Sequence, residues 1–306
     1  MKQVAVIGAG GMGRFHANTL MDIPGVEIAE VCDPFPSEAV EALGIPITTE
    51  PHVCAAKGWD GVVIASPDKT HAELTLLALD AGSRILCEKP LSHDLAGARS
   101  VIEAELSLGG RRVQVGFMRE YDAAHKELAR RLSGRTDLHY LRCTHRNTNA
   151  EARPPESVLV QSLIHDIHTV RWLSGPVHNV EARVVPRPGG LMHVLLVLDL
   201  ENGRSATIEF SDDGPAYSVV VEVSCEAGIW STGQEATEGE DWFGWFADAY
   251  RVQDRAWVDS LDGPTATGPS AADGLAAQLV AEAALSSIEH GVPMQVELLD
   301  VPELYR

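Results

Sequence analysis

The chain has 306 residues, of which 45% are hydrophobic and 22% are charged, and its formal net charge at pH 7 is −20. This length is enough for one large domain or two smaller ones with a substantial core. The negative charge argues against nucleic acids and anionic membranes as partners, because both attract basic surfaces. We therefore expect a soluble globular protein with a solvated, negatively charged surface.

The cysteines and the N-terminal residues indicate the cellular compartment. The five cysteines are scattered and form no CxxC pair: Cys32, Cys54, Cys87, Cys143 and Cys225. Such a set is typical of a reducing compartment and predicts neither a disulfide framework nor a zinc cage. The apolar run Val4–Ile7 leads directly into glycines, so it predicts a strand rather than a signal peptide. No run reaches the roughly 18 apolar residues of a membrane span, and we expect a cytoplasmic protein.

The first third of the sequence alternates predicted strands and helices. Strands are predicted at Gln3–Ile7, Val26–Cys32, Gly61–Ala65, Arg84–Cys87 and Arg112–Val115. Helices are predicted from the glycines to Met21 and at Pro36–Leu43, His71–Ala81 and Asp94–Leu106. This alternation is typical of an α/β fold in which helices cover both faces of a parallel sheet. The sequence therefore predicts a doubly wound Rossmann domain over residues 1–118.

The pattern changes after residue 118. Helices are predicted at Ala123–Leu132, Ser157–Leu173, Trp242–Leu261 and Ala271–Glu289. Strands are predicted at Leu138–Thr144, Val180–Pro186, Met192–Leu200, Ser205–Phe210 and Ser218–Ser224. The dipeptide Asn202-Gly203 predicts a hairpin between two of these strands. Residues 119–306 therefore predict a C-terminal α+β domain with an open, mostly antiparallel sheet.

The first predicted strand ends in a G-x-G-x-x-G loop, which opens the first helix. Its members are Gly8, Gly10, Gly11, Met12 and Gly13. In this setting the first glycine allows a tight turn, the second lets a pyrophosphate approach the backbone, and the third lets helix and strand pack closely. The N–H groups and dipole at the start of the helix favour an anion. The alternative is an ordinary strand–helix turn without a ligand.

Asp33 lies 20 residues after Gly13, at the end of the second predicted strand. A carboxylate at this position accepts a hydrogen bond from the ribose 2′-hydroxyl and repels a 2′-phosphate. No Arg or Lys follows in residues 34–36. The sequence therefore predicts NAD as the cofactor and disfavours NADP.

Glu88, Lys89 and Pro90 directly follow a predicted strand. Ligands of doubly wound sheets bind at the carboxyl ends of the strands, so Lys89 is expected to face the cofactor crevice and to hydrogen-bond a substrate hydroxyl. A surface lysine on a loop is the alternative that this motif alone leaves open.

The segment from Gln161 to His168 predicts a polar helix face. Gln161, His165 and His168 fall on one side of a helix, where Gln161 could orient the ring of His165. His165 would then act as an acid or base near neutral pH. The spacing of the two histidines also permits a metal, but no further ligand is identifiable, so we predict none. Two structural histidines without chemistry are the other alternative.

Taken together, these motifs resemble the Gfo/Idh/MocA oxidoreductases over nearly the whole chain. The matching segments are Gly8–Gly13, Ser66-Pro67 with His71, Cys87–Pro90, Val115–Asp122, His145–Asn147, Leu163–Ile167, Arg171–Leu173, Phe246 with Ala249-Tyr250, and Asp273-Gly274. Several of them are most similar to the inositol dehydrogenase branch. The ordered set is more specific than any single motif.

The resemblance implies a role for each matching residue. It makes Lys89 the group that holds and helps to deprotonate the reacting hydroxyl, and His165 the general base, while the nicotinamide accepts the hydride. It implies cofactor contacts for Ser66, Pro67, His71, Glu88 and Lys89. It implies substrate contacts for Arg119, Tyr121, His145, Asn147, Ser162 and His168. It also implies a homodimer or homotetramer assembled through the C-terminal sheet.

Two positions depart from the inositol dehydrogenase pattern, which has acidic residues four positions before and three positions after the catalytic histidine. This chain has Gln161 and His168 there. A carboxylate would make the imidazole of His165 more basic, whereas Gln161 can only orient it. We therefore expect a related polyol, sugar or cyclitol, rather than myo-inositol itself, as substrate.

The resulting expectation is an NAD-dependent dehydrogenase that acts on a secondary alcohol of a cyclic polyol or sugar. One alternative is a reductase or a redox-neutral enzyme with permanently bound NAD in the metabolism of an unusual sugar or aminocyclitol. Another is a non-catalytic NAD-sensing protein, since a fold by itself does not settle function.

Overall fold

The structure is a computed structural model that describes residues 1–148, 152–212, 214, 216–233 and 241–305. The chain divides into two compact units, which are described separately below. The first contains Met1–Phe117, Arg251–Leu275 and Asp300–Arg306, and the second contains Met118–Tyr250 and Ala276–Leu299. The predicted domains, 1–118 and 119–306, differ from these units after residue 250 and stay a prediction. No helix among the described residues is long and apolar enough to cross a membrane.

Short apolar runs build the sheet of the first unit. Its strands are β1 (Lys2–Ile7), β2 (Val26–Cys32), β3 (Ile47–Thr48), β4 (Gly61–Ile64), β5 (Arg84–Cys87) and β6 (Val113–Val115). Its helices are α1 (Gly11–Met21), α2 (Glu38–Glu41), α3 (Pro51–Ala55), α4 (His71–Asp80) and α5 (Leu95–Leu108). In the described residues the strands form a parallel sheet of order β3-β2-β1-β4-β5-β6. The predicted Rossmann fold is confirmed.

The strand order places the ligand crevice. Successive strands run outward from β1 in one direction through β2 and β3, and in the other through β4, β5 and β6. In such sheets the ligand binds at the carboxyl ends of the strands where the order reverses, which is between β1 and β4 here. Residues Val4 to Ile7 of β1 are fully buried, as expected for a strand covered by helices on both faces.

The core of the first unit includes a tryptophan from late in the chain. The remaining α-helices of the described chain are α6 (Ala123–Leu132), α7 (Pro155–Val158), α8 (Ile164–Ser174), α9 (Trp242–Ser260) and α10 (Ala271–His290). Trp257 of α9 is fully buried and packs in the cluster of Val6, Leu20 and Val31. Its indole lies so close to Gly61 that a Cβ there would approach within 2.8 Å. Glycine at the start of β4 therefore makes room for this ring.

The second unit contains a mixed sheet. Its strands are β7 (Leu138–Arg146), β8 (Val177–Pro186), β9 (Met192–Leu200), β10 (Ser205–Ser211), β11 (Ser218–Cys225), β12 (Gly228–Ser231) and β13 (Met294–Gln295). Within the described part of the chain the order is β12-β11-β7-β10-β9-β8-β13, and β7 with β10 is the parallel pair among antiparallel ones. The predicted α+β architecture with a mostly antiparallel sheet is confirmed.

The structure refines several predicted elements. The predicted hairpin between β9 and β10 is present, with Asn202 at φ 59° and Gly203 at φ 72°. The predicted helix Pro36–Leu43 is shorter, because only Glu38–Glu41 is helical. Four short elements had no clear signal in the sequence: β3, α3, β12 and β13. Segments of two to five residues are too short for a hydrophobic period to show.

Candidate functional site: a dinucleotide crevice and a buried charge network

The glycine loop has the geometry that a pyrophosphate needs. Gly8 has φ +90°, and a side chain there would overlap the backbone of Ala65 and Ser66. A Cβ on Gly13 would overlap the carbonyl oxygen of Gly8, whereas Gly10 and Gly11 face open space. Among the described residues no side chain caps the start of α1. The loop therefore offers an open cradle at a helix amino end, which fits a dinucleotide.

The carboxylate of Asp33 ties the end of β2 to this loop. One oxygen accepts a hydrogen bond from the N–H of Ala9 at 2.7 Å, and the other accepts from the N–H of Phe35 at 2.8 Å. The side chain is half-buried. It is thus fixed beside the glycine loop, where ribose recognition requires a carboxylate. The ribose contact itself stays a prediction.

His71 joins the two loops that follow β4 and β5. Its ring nitrogens lie 2.6 Å from the carbonyl oxygen of Pro90 and 2.8 Å from that of Ser66. Both partners are acceptors, so both nitrogens donate and the ring is charged. Burial by itself lowers the pKa of His71, but Cys87 and the two carbonyl oxygens outweigh it and raise the pKa to about 9. The contact of His71 with the cofactor stays a prediction. Pro67, which follows Ser66, is exposed.

Glu88 belongs to a buried cluster that the sequence did not reveal. Its Oε1 lies 3.2 Å from Nε2 of His16, whose Nδ1 lies 2.9 Å from Oδ1 of Asp254. Lys89 follows directly and is half-buried. Lys89 comes after β5 and Ser66 after β4, so the predicted cofactor residues follow the carboxyl ends of neighbouring strands.

The second unit holds a network centred on Asp166. Its Oδ1 accepts a hydrogen bond from Arg119 at 2.6 Å, and its Oδ2 accepts from Nδ1 of His145 at 2.7 Å. Arg119 is 1% exposed and His145 3% exposed. Burial by itself raises the pKa of Asp166, but Arg119 and His145 outweigh it and hold the pKa below its usual range. Asp166 is therefore ionised, and the proton of the His145 hydrogen bond is on Nδ1.

An aromatic group encloses this network. The ring of His145 packs edge-on against Phe210 at 5.1 Å and against Tyr217 at 5.5 Å. The guanidinium of Arg119 lies 5.5 Å from the ring centre of Phe246. These contacts hold the side chains of Arg119 and His145 in fixed orientations. Arg119 and His145, which we expected to line a substrate pocket, are thus packed inside the second unit.

The helix that carries His165 is not a regular α-helix. Residues Leu159–Leu163, between α7 and α8, form a π-helical turn, a feature often found at functional sites. Gln161 on this turn is exposed, while Ser162 is buried and accepts a hydrogen bond from Arg153 at 3.2 Å. His165 follows on α8 and is 7% exposed. The sequence predicted a regular helix through Gln161, His165 and His168. In the structure Gln161 lies on the π-helical turn, which has a wider spacing than an α-helix, and the two histidines lie on α8.

His168 has an acidic partner. Its Nε2 lies 2.8 Å from Oε1 of Glu120, and the imidazole is 2% exposed. The inositol dehydrogenase pattern has an acidic residue at position 168. In this chain Glu120 places a carboxylate next to that position instead. The other predicted substrate residues, Tyr121 and Asn147, are half-buried; the backbone N–H of Asn147 donates to the carbonyl of Ser211 at 2.8 Å.

Models of known protein families match both units. Residues 2–117 match an oxidoreductase family with an NAD-binding Rossmann fold, and residues 129–231 match the GFO/IDH/MocA C-terminal domain. This chain belongs to the Gfo/Idh/MocA oxidoreductase family. The family resemblance and the NAD cofactor predicted from the sequence are thereby confirmed.

Among members of the Gfo/Idh/MocA family, curated relatives are similar over their whole length. An inositol 2-dehydrogenase of Streptomyces avermitilis is 38% identical, with 99% of this chain and 96% of that protein covered. An inositol 2-dehydrogenase of Rubrobacter xylanophilus is 34% identical, with 99% and 95% covered. The crystal structure of a myo-inositol dehydrogenase from Lactobacillus casei with NAD(H) and myo-inositol superposes with a TM-score of 0.92, 25% identity and complete coverage of both chains (100% and 100%).

Several residues of this Gfo/Idh/MocA protein escaped the sequence reasoning. His16, Glu120, Asp166 and Tyr217 contact predicted site residues, and Asp254 contacts His16. Asp166 carried a usable signal, since it directly follows the predicted general base His165. Asp254 carried none, because it lies 238 residues after His16 in the sequence and meets it only in the fold.

One further cluster could hold a metal ion. Donor atoms of Glu30, Cys32 and Cys54 lie within 4.8 Å of one another, and all three residues are buried. The carboxylate of Glu30 already accepts hydrogen bonds from Thr48 and from Lys57, each at 2.5 Å. An ion at this cluster would share the carboxylate of Glu30 with these two donors. The cluster is not part of the crevice residues described above.

Proposed function

We propose that this protein is an NAD-dependent dehydrogenase that transfers a hydride between a secondary alcohol of a cyclic polyol or sugar and the nicotinamide. The observation that carries this proposal is the position of Lys89. It directly follows β5, at the same edge of the sheet as the glycine loop after β1. A half-buried ammonium at this edge is suited to hold a hydroxyl oxygen beside the cofactor. The names of the relatives support a polyol as the substrate class.

The proposed chemistry assigns one task to each residue. Gly10, Gly11 and the amino end of α1 hold the pyrophosphate, and Asp33 accepts a hydrogen bond from the ribose. The bound NAD supplies a hydride acceptor. Lys89 donates a hydrogen bond to the reacting hydroxyl and stabilises its deprotonated form. We propose His165 as the general base for the hydroxyl proton, because an imidazole is suited to acid–base catalysis.

The substrate proposal follows from the residues around His165. Gln161 is uncharged, and His168 is paired with Glu120. A carboxylate is thus present near His168, but the contact with that ring already engages it. We propose that the substrate is a cyclitol or sugar related to, but different from, myo-inositol. A rate on myo-inositol as high as on any other compound would contradict this.

We also propose a homodimer or homotetramer that assembles through the sheet of the second unit. One face of this sheet exposes apolar side chains: Val185 is 57% exposed, Leu195 38% and Val197 36%. They lie on adjacent strands, with Val185 opposite His193 and two residues from Leu195 in register. Arg183 and Glu209 flank Leu195 in register, so this face combines apolar and charged side chains, and its exposed apolar residues favour an interface. We propose separately that the protein is cytoplasmic, because its cysteines form no CxxC pair.

The test is NADH formation from NAD⁺ over a panel of inositols, aldoses, sugar phosphates and aminocyclitols. Lys89→Ala is the matched blank, and we expect it to lose about 10²- to 10⁴-fold in rate, the contribution of a positioned acid–base group. A signal that depends on Lys89 and is confined to one class of compound supports the proposal. Full activity of Lys89→Ala would refute the role of this residue. No signal with any compound, in protein that still binds NAD⁺, would favour a reductase, a redox-neutral enzyme or a sensor.

A further inference from the structure

Three buried ionisable side chains of the first unit contact one another in series next to Lys89. His16 lies on α1, Glu88 follows β5, and Asp254 lies on α9. The imidazole contacts Asp254 through Nδ1 at 2.9 Å and 3.0 Å, and Glu88 through Nε2 at 3.2 Å. His16 and Asp254 are 0% exposed and Glu88 is 5% exposed. Water therefore cannot replace these contacts.

The imidazole of His16 is charged in this setting. A carboxylate on each ring nitrogen requires each nitrogen to donate a proton. Burial by itself lowers the pKa of His16, but the charges and hydrogen bonds of Asp254 and Glu88 outweigh it and raise the pKa to about 10. At neutral pH the ring is a cation between two carboxylates. Such buried pairs fix geometry well, because breaking one leaves a charge without a partner.

The cluster reaches Lys89 through Glu88. The second oxygen of Glu88, Oε2, lies 3.3 Å from the backbone N–H of Lys89. The carboxylate also lies against Gly116, where an added Cβ would be 2.7 Å from Oε1. The side chain of Glu88 is therefore fixed on both oxygens, and it in turn holds the amide from which Lys89 extends.

The same cluster reaches the glycine loop through α1. His16 lies three residues after Gly13 on this helix, whose amino end forms the cradle described above. A shift of α1 would move the imidazole against Glu88. The amino end of the helix and the backbone of Lys89 are thus joined by one buried charged contact.

We propose that His16 is a positioning residue for Lys89, which it holds through Glu88 at a fixed place relative to the helix that binds the cofactor. Asp254 keeps the ring of His16 in the orientation that reaches Glu88. This inference rests on the proposed function of Lys89.

The test observes Lys89 directly. The chain has only five lysines, so reductive ¹³C-dimethylation gives a simple ¹H–¹³C spectrum, in which Lys89→Arg identifies the signal of Lys89. We expect His16→Gln to shift or broaden this signal, with and without NAD⁺, and to leave those of Lys2, Lys57, Lys69 and Lys126 in place. A purely structural role would move no lysine selectively.

The control is Tyr305→Phe. Its hydroxyl donates to the buried Glu105 at 2.7 Å, and Glu105 accepts from the backbone of Val113 at the start of β6. This variant removes a contact to a buried carboxylate at the opposite edge of the same sheet. The Lys89 signal should stay unchanged in it.

The kinetic readout separates positioning from binding. We expect His16→Gln to lower kcat about 10- to 100-fold, the effect of a small misplacement of a reacting group, with little change in the Kd of NAD⁺. Asp254→Asn keeps an acceptor for Nδ1, so we expect a smaller loss. Asp254→Asn also decides the matter if His16→Gln does not fold.

An unmoved Lys89 signal in a folded His16→Gln or Asp254→Asn protein overturns the inference. Failure of the proposed function looks different: the unaltered protein would then give no NADH signal with any compound of the panel, or Lys89→Ala would keep full activity, whatever the spectra of the His16 variants show. The two results are therefore read from separate proteins and separate measurements.

Discussion

The carboxylate of Asp166 accepts a hydrogen bond from the guanidinium of Arg119 at 2.6 Å, and both side chains are buried. Asp166 directly follows the predicted general base, His165, and its other oxygen contacts His145. The turn of α8 that presents His165 is thereby anchored to two other segments of the second unit. Arg119 and His145 thus contribute through the position of α8 as well as through any contact with substrate.

Loss of Asp166 should be costly for folding. Asp166→Ala leaves the guanidinium of Arg119 buried without its counter-ion, and breaking such a pair costs about 3–5 kcal/mol. Urea denaturation of the variant should show this loss. The control is Glu73→Ala, which breaks an exposed contact with His52 at 3.0 Å and should change little. A loss as small as that of the control would contradict the assigned importance of the pair.

The stability of the protein should fall at alkaline pH, partly because of His71. Its pKa is raised from 6.5 to about 9 in the folded protein. A raised pKa stabilises the fold fully below the unfolded value, and this stabilisation is lost as the pH rises through the folded value. We expect the free energy of unfolding to decrease between pH 6.5 and 9. His71→Gln should show a flatter dependence in this window; equal slopes for the two proteins would refute the assignment.

Asp33 should control both cofactor choice and the glycine loop. Its carboxylate accepts N–H groups of Ala9 and Phe35 and is predicted to accept the ribose hydroxyl. We expect Asp33→Ser to weaken NAD⁺ binding about 10-fold, the loss of one hydrogen bond to a charged group, and to bind NADP⁺ relatively better. Titrations with both dinucleotides measure this. An unchanged ratio of the two Kd values would remove Asp33 from the discrimination.

Gln161 should determine how basic His165 is. Gln161→Asp places a carboxylate before His165, and a nearby negative charge raises the pKa of an imidazole. We expect the acidic limb of the pH–rate profile to move upward by about one unit and the rate on myo-inositol to rise. Gln161→Asn, which adds no charge, is the control. Identical profiles for the two variants would show that position 161 has no electrostatic influence on the base.

The exposed face of the second sheet should mediate assembly. Leu195→Glu replaces an exposed apolar side chain of this face with a second carboxylate beside Glu209, and a charge buried in an interface without a partner is strongly unfavourable. We expect light scattering after size exclusion to report a smaller mass for this variant. Leu106→Glu, at a position 42% exposed on α5, is the control. An unchanged mass for Leu195→Glu would place the interface elsewhere or indicate a monomer.

Local patterns were sufficient for much of this protein. The strands β2, β5 and β9 and the helix α6 have the bounds that their sequences predict, because their apolar periods are uninterrupted and their ends carry clear turn signals. The G-x-G-x-x-G loop predicted its own turn, because only glycine tolerates the overlap at Gly8 and Gly13. The departures at Gln161 and His168 were also visible in the sequence, although the acidic partner of His168 was not.

The sequence by itself determined the fold class, the cofactor loop and the candidate lysine and histidine, because each depends on residues that are neighbours along the chain. Only the tertiary structure decided which ionisable side chains contact one another. His16, Glu88 and Asp254 come together from three distant segments, and so do Arg119, His145 and Asp166. The physical reason is that a buried charge needs an opposite charge in direct contact, and folding brings that partner from whichever segment packs alongside.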